Sequence, residues 1–135
     1  MAATPVRWAA NGHCYEVEAP EIWTDARTQS LARGGYLVTI TSQDENSFVR
    51  NLIFSAGLWL GATDIGYATG DYHWIDGPEA GQPVSNYYVN WRPTEPNDQG
   101  GIEHYAEMLS TGQWNDNSLI SLSFATEFAG TYFVL

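Results

Sequence analysis

Asn90-Trp91-Arg92-Pro93-Thr94-Glu95-Pro96-Asn97-Asp98, followed by Glu103 and then by Trp114-Asn115-Asp116, decides how the rest of this chain is read. The donors gathered here are oxygens: carboxylates of Glu and Asp and amide carbonyls of Asn, with no Cys and one His, His104. Such a set suits a hard cation, Ca2+ above all, rather than zinc or copper, which favour sulfur and imidazole. Calcium takes about 6 to 8 oxygens, so five side chains and a backbone carbonyl would leave about two positions for water or for oxygens of a ligand. Acidic and amide residues in loops also form Asx turns or stand solvated, and spacing alone leaves that reading open.

Outward from this stretch, the segment from Asp76 to Glu103 carries neither helical nor strand periodicity. A structureless run of that length inside a compact domain is usually functional or disordered. Its four prolines and its Trp91 predict an ordered loop. Around it lie short strand candidates: Leu58 to Gly61, Tyr72 to Ile75, Tyr105 to Leu109, Leu119 to Phe128 and Thr131 to Leu135. Upstream, Trp8 to Val17 with its Asn11-Gly12 turn predicts a hairpin or an entering strand, and Tyr36 to Ile40 a further strand. Two helices are predicted. Thr24 to Arg33 ends at Gly34-Gly35, and a second starts at the Ser42-x-x-Glu45 capping box, with Phe48, Val49, Leu52 and Ile53 as one apolar face.

The chain has 135 residues, of which 44% are hydrophobic and 14% aromatic, enough for one packed domain over 1–135 with a core of about 8–128. Lys and Arg number 5 against 16 Asp and Glu, a formal charge of −11. No basic surface exists to neutralise nucleic acid, and the same imbalance argues against anionic lipid. No apolar run of membrane-spanning length occurs. The opening Met1 to Pro5 has neither a basic nor an apolar region of the secretory type, so any export signal is expected elsewhere. A single cysteine, Cys14, precludes an intramolecular disulfide and reads as a buried small hydrophobe.

In order, Trp23-x-x-Ala26, Gly34-Gly35-x-Leu37, Leu58-Trp59-Leu60-Gly61, Asn90-Trp91, Glu95-Pro96-Asn97-Asp98, Glu103 and Trp114-Asn115-Asp116 resemble a C-type lectin-like domain from about Trp8 to Phe128. The resemblance implies an α+β C-type lectin-like fold, two helices packed on small antiparallel sheets with a long calcium-binding loop. It makes Glu95, Asn97, Glu103, Asn115 and Asp116 the ligands of a principal Ca2+ site, with a cis peptide before Pro96. In sugar-binding members two adjacent hydroxyls join the cation, the Glu carboxylates accepting their protons and the Asn amides donating; the Glu-Pro-Asn form resembles the mannose, fucose and glucose class. Asp64 and Asp98 remain as ligands of a weak auxiliary metal site, in which Thr69 and His104 stand where the resemblance implies acids. Family cysteine places hold Ser30, Tyr105, Leu119 and Thr126, so both usual bridges are absent, which looks like a microbial module.

The implied function is non-enzymatic, calcium-dependent binding of glycans or glycoconjugates at an extracellular or cell surface, with Tyr87 and Tyr88 as ligand contacts. Trp59, Trp74, Trp91 and Trp114 read as core. A calcium-stabilised protein-binding or structural module of an adhesin, alone or in an oligomer, is the second reading. A glycoside hydrolase using Glu95 and Glu103 is the third, disfavoured because a cation lowers the pKa that a catalytic acid needs raised.

Overall fold

The computed structural model describes residues 5–53 and 57–129; the strand expected over Thr131 to Leu135 lies outside them. In chain order the elements are β1 (Val6–Arg7), β2 (Cys14–Glu21), α1 (Trp23–Ala32), β3 (Tyr36–Leu37), α2 (Gln43–Arg50), β4 (Leu58–Thr63), β5 (His73–Trp74), β6 (Tyr105–Met108), β7 (Trp114–Asn117) and β8 (Leu122–Phe128). The class is α+β, as expected. Separate antiparallel sheets are not what forms. The strands join in one sheet of order β1-β2-β8-β4-β6-β7, with β3 on β8 and β5 on β4. The link is a parallel contact of β4 with β8, Trp59 opposite Phe124, which the long excursion between these strands makes possible. Among the described residues no helix is long and apolar enough to cross a membrane.

Helix α1 turns Trp23, Ala26 and Ser30 inward, at helical spacing. Its end is closed by Gly34, at φ +87, and by Gly35, whose N–H donates to the Ser30 carbonyl at 3.1 Å. Gly35 also sets how near the helix end comes to β8, because a Cβ there would stand 2.5 Å from the Glu127 carbonyl oxygen. At this contact Ser30 Oγ and Thr126 Oγ1, two of the four places where the resemblance puts cysteines, share a hydrogen bond of 2.8 Å.

Helix α2 begins as its sequence predicts on one side only. Ser42 Oγ accepts from the Glu45 N–H at 3.0 Å. The reciprocal arm of the capping box does not form, because the buried Glu45 carboxylate accepts instead from the Thr41 N–H and from Tyr15 Oη at 2.8 and 2.6 Å. Val49 is fully buried, and Phe48, Leu52 and Ile53 pack half-buried against the core.

One core cluster gathers Tyr15, Ile40, Leu60, Trp74 and Trp114, and a second gathers Trp23, Leu37, Trp59 and Phe124. Burying a large apolar side chain contributes about 1.5 to 3 kcal/mol, so these rings carry much of the fold. Trp114 is the joint between core and long loop. Its indole Nε1–H donates to Asn46 Oδ1 at 2.8 Å, and it meets the rings of Trp74, Tyr88 and Trp91 edge-on. Cys14 is a buried free thiol.

At the other end of β8, Glu127 is 1% exposed; its Oε2 pairs with His13 Nδ1 at 2.5 Å and its Oε1 accepts from the Thr39 N–H at 3.1 Å. A cavity of about 280 Å³ opens beside Glu127, Glu45, Glu79 and His13.

Candidate functional site

The segment between β5 and β6 holds two single 3-10 turns, Val84–Asn86 and Gln99–Gly101, and is otherwise irregular. It stays ordered because it is sewn to β7. The Trp114 N–H donates to the Asn90 carbonyl at 2.8 Å and the Arg92 N–H to the Trp114 carbonyl at 2.9 Å. Each such bond satisfies a loop peptide group that would otherwise need water.

Asp116 draws the next turn inward. It is completely buried, and its carboxylate accepts from the Asn97 N–H at 3.3 Å and the Asp98 N–H at 2.7 Å. Asp98, in the left-handed conformation, accepts from the Glu103 N–H at 3.0 Å, and Glu103 Oε1 accepts from the Gln99 N–H at 3.1 Å. The peptide between Glu95 and Pro96 is cis. Asn97, Asp98, Glu103 and Asp116 are thus tied into one small turn, with Glu95 just before it across the cis peptide and Asn115 beside Asp116 on β7.

Charge in this turn is incompletely balanced. Glu95 Oε2 takes Arg92 Nη2 at 3.2 Å, whereas its buried Oε1 has no hydrogen-bond partner. The Glu103 carboxyl lies above the usual range, chiefly from burial, offset in part by the Gln99 N–H and raised further by Asp116, Glu95 and Glu107. A buried carboxylate oxygen without a donor, among like charges, is a place where a cation lowers the energy. Among the described residues no three Asp, Glu, His or Cys side chains stand together as a metal-holding group. A cage here therefore has to draw on the amide oxygens of Asn97 and Asn115, which hard cations accept. With that donor set the residues fit Ca2+.

The family model described as the lectin C-type domain matches residues 19–121. This chain belongs to the C-type lectin domain family. Mouse asialoglycoprotein receptor 2 is 33% identical over 120 residues, 84% of this chain and 38% of the receptor. The chain thus spans about two fifths of that relative. The cow CD23 carbohydrate-recognition domain, solved in the presence of a GlcNAc2Man3 oligosaccharide, is 32% identical with a TM-score of 0.78, covering 89% of this chain and 90% of that one. A calcium-independent type II antifreeze protein is 25% identical with a TM-score of 0.77, covering 97% of this chain and 98% of that one. The mouse and cow relatives are animal proteins and lend no support to the microbial source expected from the missing bridges.

Other expected residues of this lectin domain fall as follows. Asp64 is buried, pairs with His104 Nδ1 at 3.0 Å and accepts from the Gly70 N–H at 2.9 Å, so an imidazole stands where the resemblance implies a further acid. Asp98 spends one oxygen on the Glu103 N–H, and among the described residues no hydrogen bond joins it to Asp64 or to His104. Tyr88 packs half-buried against the core beside Trp114, whereas Tyr87 is exposed.

One residue escapes a reading by motif. Glu107 on β6 is buried, and its Oε1 accepts from both Asn115 Nδ2 and Asn117 Nδ2 at 3.0 Å. Burial holds its carboxyl above the usual range, against the pull of the two amides and of Arg92. The sequence signal was present as Asn115-x-Asn117 one hairpin turn away from Glu107, but it becomes a contact only once the β6–β7 register is known.

Proposed function

We propose that this domain binds glycans through a Ca2+ ion held by Glu95, Asn97, Glu103, Asn115 and Asp116, with hydroxyls of the mannose, fucose or glucose type as the preferred ligands. The observation that carries the reading is the buried, donorless Oε1 of Glu95, in a loop where burial and the charges of Asp116 and Glu95 raise the Glu103 carboxyl. When bound, the ion supplies direct coordination of two adjacent hydroxyl oxygens. In this reading Glu95 and Glu103 accept the hydroxyl protons and the Asn97 and Asn115 amides donate to the hydroxyl oxygens, bonds strengthened by the charge of the carboxylates. Asp116 shapes the turn. Tyr87, exposed beside the loop, is an added contact; Tyr88 supports it from the core side. The domain acts without catalysis, over 1–135, at an extracellular or cell surface.

A glycan array probed with calcium and again with EDTA tests this. Mannose-type signals present with calcium and absent with chelator are expected; signals indifferent to chelator, or none at all, would sink it. A second reading is favoured by the Arg92–Glu95 contact, which already uses one proposed ligand oxygen, and by the fold's use in a calcium-independent protein. There the loop serves a protein partner, in an adhesin or an oligomer, and free sugars do not compete.

A further inference from the structure

Glu107 and Asn115 are direct partners across the β6–β7 pair, and Asn117 lies two residues on, on the same face of β7. Both Asn amides donate to the one oxygen, Glu107 Oε1. An Asn amide has two chemically unlike ends, NH2 and C=O, and turning it by half a rotation would set the carbonyl oxygen against the carboxylate oxygen. Glu107 therefore selects one orientation at each Asn.

The two are not equally dependent on it. Asn117 is held from its other end as well, because its Oδ1 accepts from the Ser118 N–H at 2.8 Å. Asn115 Oδ1 accepts no hydrogen bond among the described residues, so Glu107 is the only side-chain anchor of that amide. Glu107 is itself held in place by packing. Gly57, at φ +85, lies against it so closely that a Cβ there would stand 2.9 Å from Glu107 Oε2.

We propose that Glu107 is a positioning residue for the loop site: it fixes the Asn115 amide so that Oδ1 is offered to the cation and the second N–H to a sugar hydroxyl. This rests on the calcium and glycan reading above. One amide proton is spent on Glu107 and one remains, which matches a residue that must give an oxygen to a metal and a proton to a ligand at once.

The test uses Glu107→Ala, Glu107→Gln and Asn117→Ala in the full chain. Calcium affinity is read by calorimetry, urea midpoints are taken in EDTA, and the Asn115 side-chain NH2 signals are followed by nitrogen NMR without metal. Loss of an outer partner of a metal ligand lowers affinity about 10- to 100-fold, and Glu107→Ala is expected in that range. Glu107→Gln, which keeps one acceptor but no longer rejects a turned amide, should fall between and show two sets of Asn115 signals in place of one. Asn117→Ala, which leaves the Asn115 contact intact, should bind calcium as the wild type does. If Glu107→Ala does not fold, Glu107→Gln decides alone. Wild-type affinity together with an unchanged single set of Asn115 signals, in a folded Glu107 variant, overturns the inference. A wild-type chain that binds no calcium overturns instead the reading on which it rests.

Discussion

Two clusters of carboxylates sit at opposite uses of the same chemistry. Near His13, Glu45 and Glu127 are each 1% exposed, yet each accepts donors from the chain itself: Thr41 and Tyr15 for one, His13 and Thr39 for the other. In the long loop, Asp116 is satisfied by two backbone N–H groups, but Glu95 keeps a buried oxygen with no donor. The difference teaches where an external cation has something to do. A cluster that carries its own imidazole is complete, whereas one that has spent its donors on shaping a turn is not.

The sharpest way to break this contrast is Asp116→Ala. It removes the acceptor of the Asn97 and Asp98 N–H groups together with a proposed ligand, so calcium and sugar binding should vanish as one. Both N–H groups lose their acceptor to water, and hydrogen exchange over residues 95–99 should accelerate accordingly. Slow exchange in that turn, with calcium bound as before, would mean that Asp116 organises nothing.

The second test is pH, because stability from the Glu127 cluster and calcium affinity in the loop should respond with opposite sign. Burial pushes the Glu127 carboxyl from 4.5 up to about 7, with repulsion from Glu45 adding to it and His13 and Thr39 opposing. The folded chain therefore holds that proton more tightly than the unfolded chain. Its stabilising share is complete below about 4.5 and is lost as pH climbs through about 7, a change on the order of 3 kcal/mol. Urea midpoints between pH 5 and pH 8 should decline in wild type and decline less in Glu127→Gln. Some slope remains in the variant because Glu18, raised to about 7 by burial and by Glu16, acts in the same direction. The loop runs the other way: calcium needs ionised ligands, so calcium affinity should fall on acidification. Equal pH slopes for wild type and Glu127→Gln would remove His13 and Glu127 from the comparison.

The smallest expected effect is one of preference. Glu95→Gln with Asn97→Asp keeps the oxygens and the charge of the loop while exchanging acceptor and donor positions. Sugar selectivity should move from mannose-type toward galactose-type hydroxyls by about 1 to 3 kcal/mol, measured by competition with the free sugars. An unaltered profile with calcium still bound would make the ion structural and favour a protein partner.

Much of this was legible in the sequence, for physical reasons that also explain the rest. Helix α2 could be read because Ser42 and the apolar spacing around Val49 are local signals. The loop could be read from what it lacks, since no periodicity with four prolines leaves only irregular backbone. The unformed arm of the capping box could not be read, because Tyr15, 30 residues earlier in the chain, captures the Glu45 carboxylate. Glu107 looked like any residue of a strand until pairing set it opposite Asn115. The single sheet was equally hidden, because the β4–β8 contact joins strands far apart in sequence. Local signals gave the elements; cross-strand contacts supplied the meaning of individual acids.

The hydroxyl pair of Ser30 and Thr126 has a consequence for where such a domain can be made. A bridge of two cysteines must be oxidised before it holds, and it is lost again wherever thiols are kept reduced. A hydrogen bond between two hydroxyls forms on contact and is blind to electron supply. The helix α1 to β8 junction is therefore expected to close equally well under glutathione and in air, with Cys14 buried and no oxidoreductase needed to complete the fold.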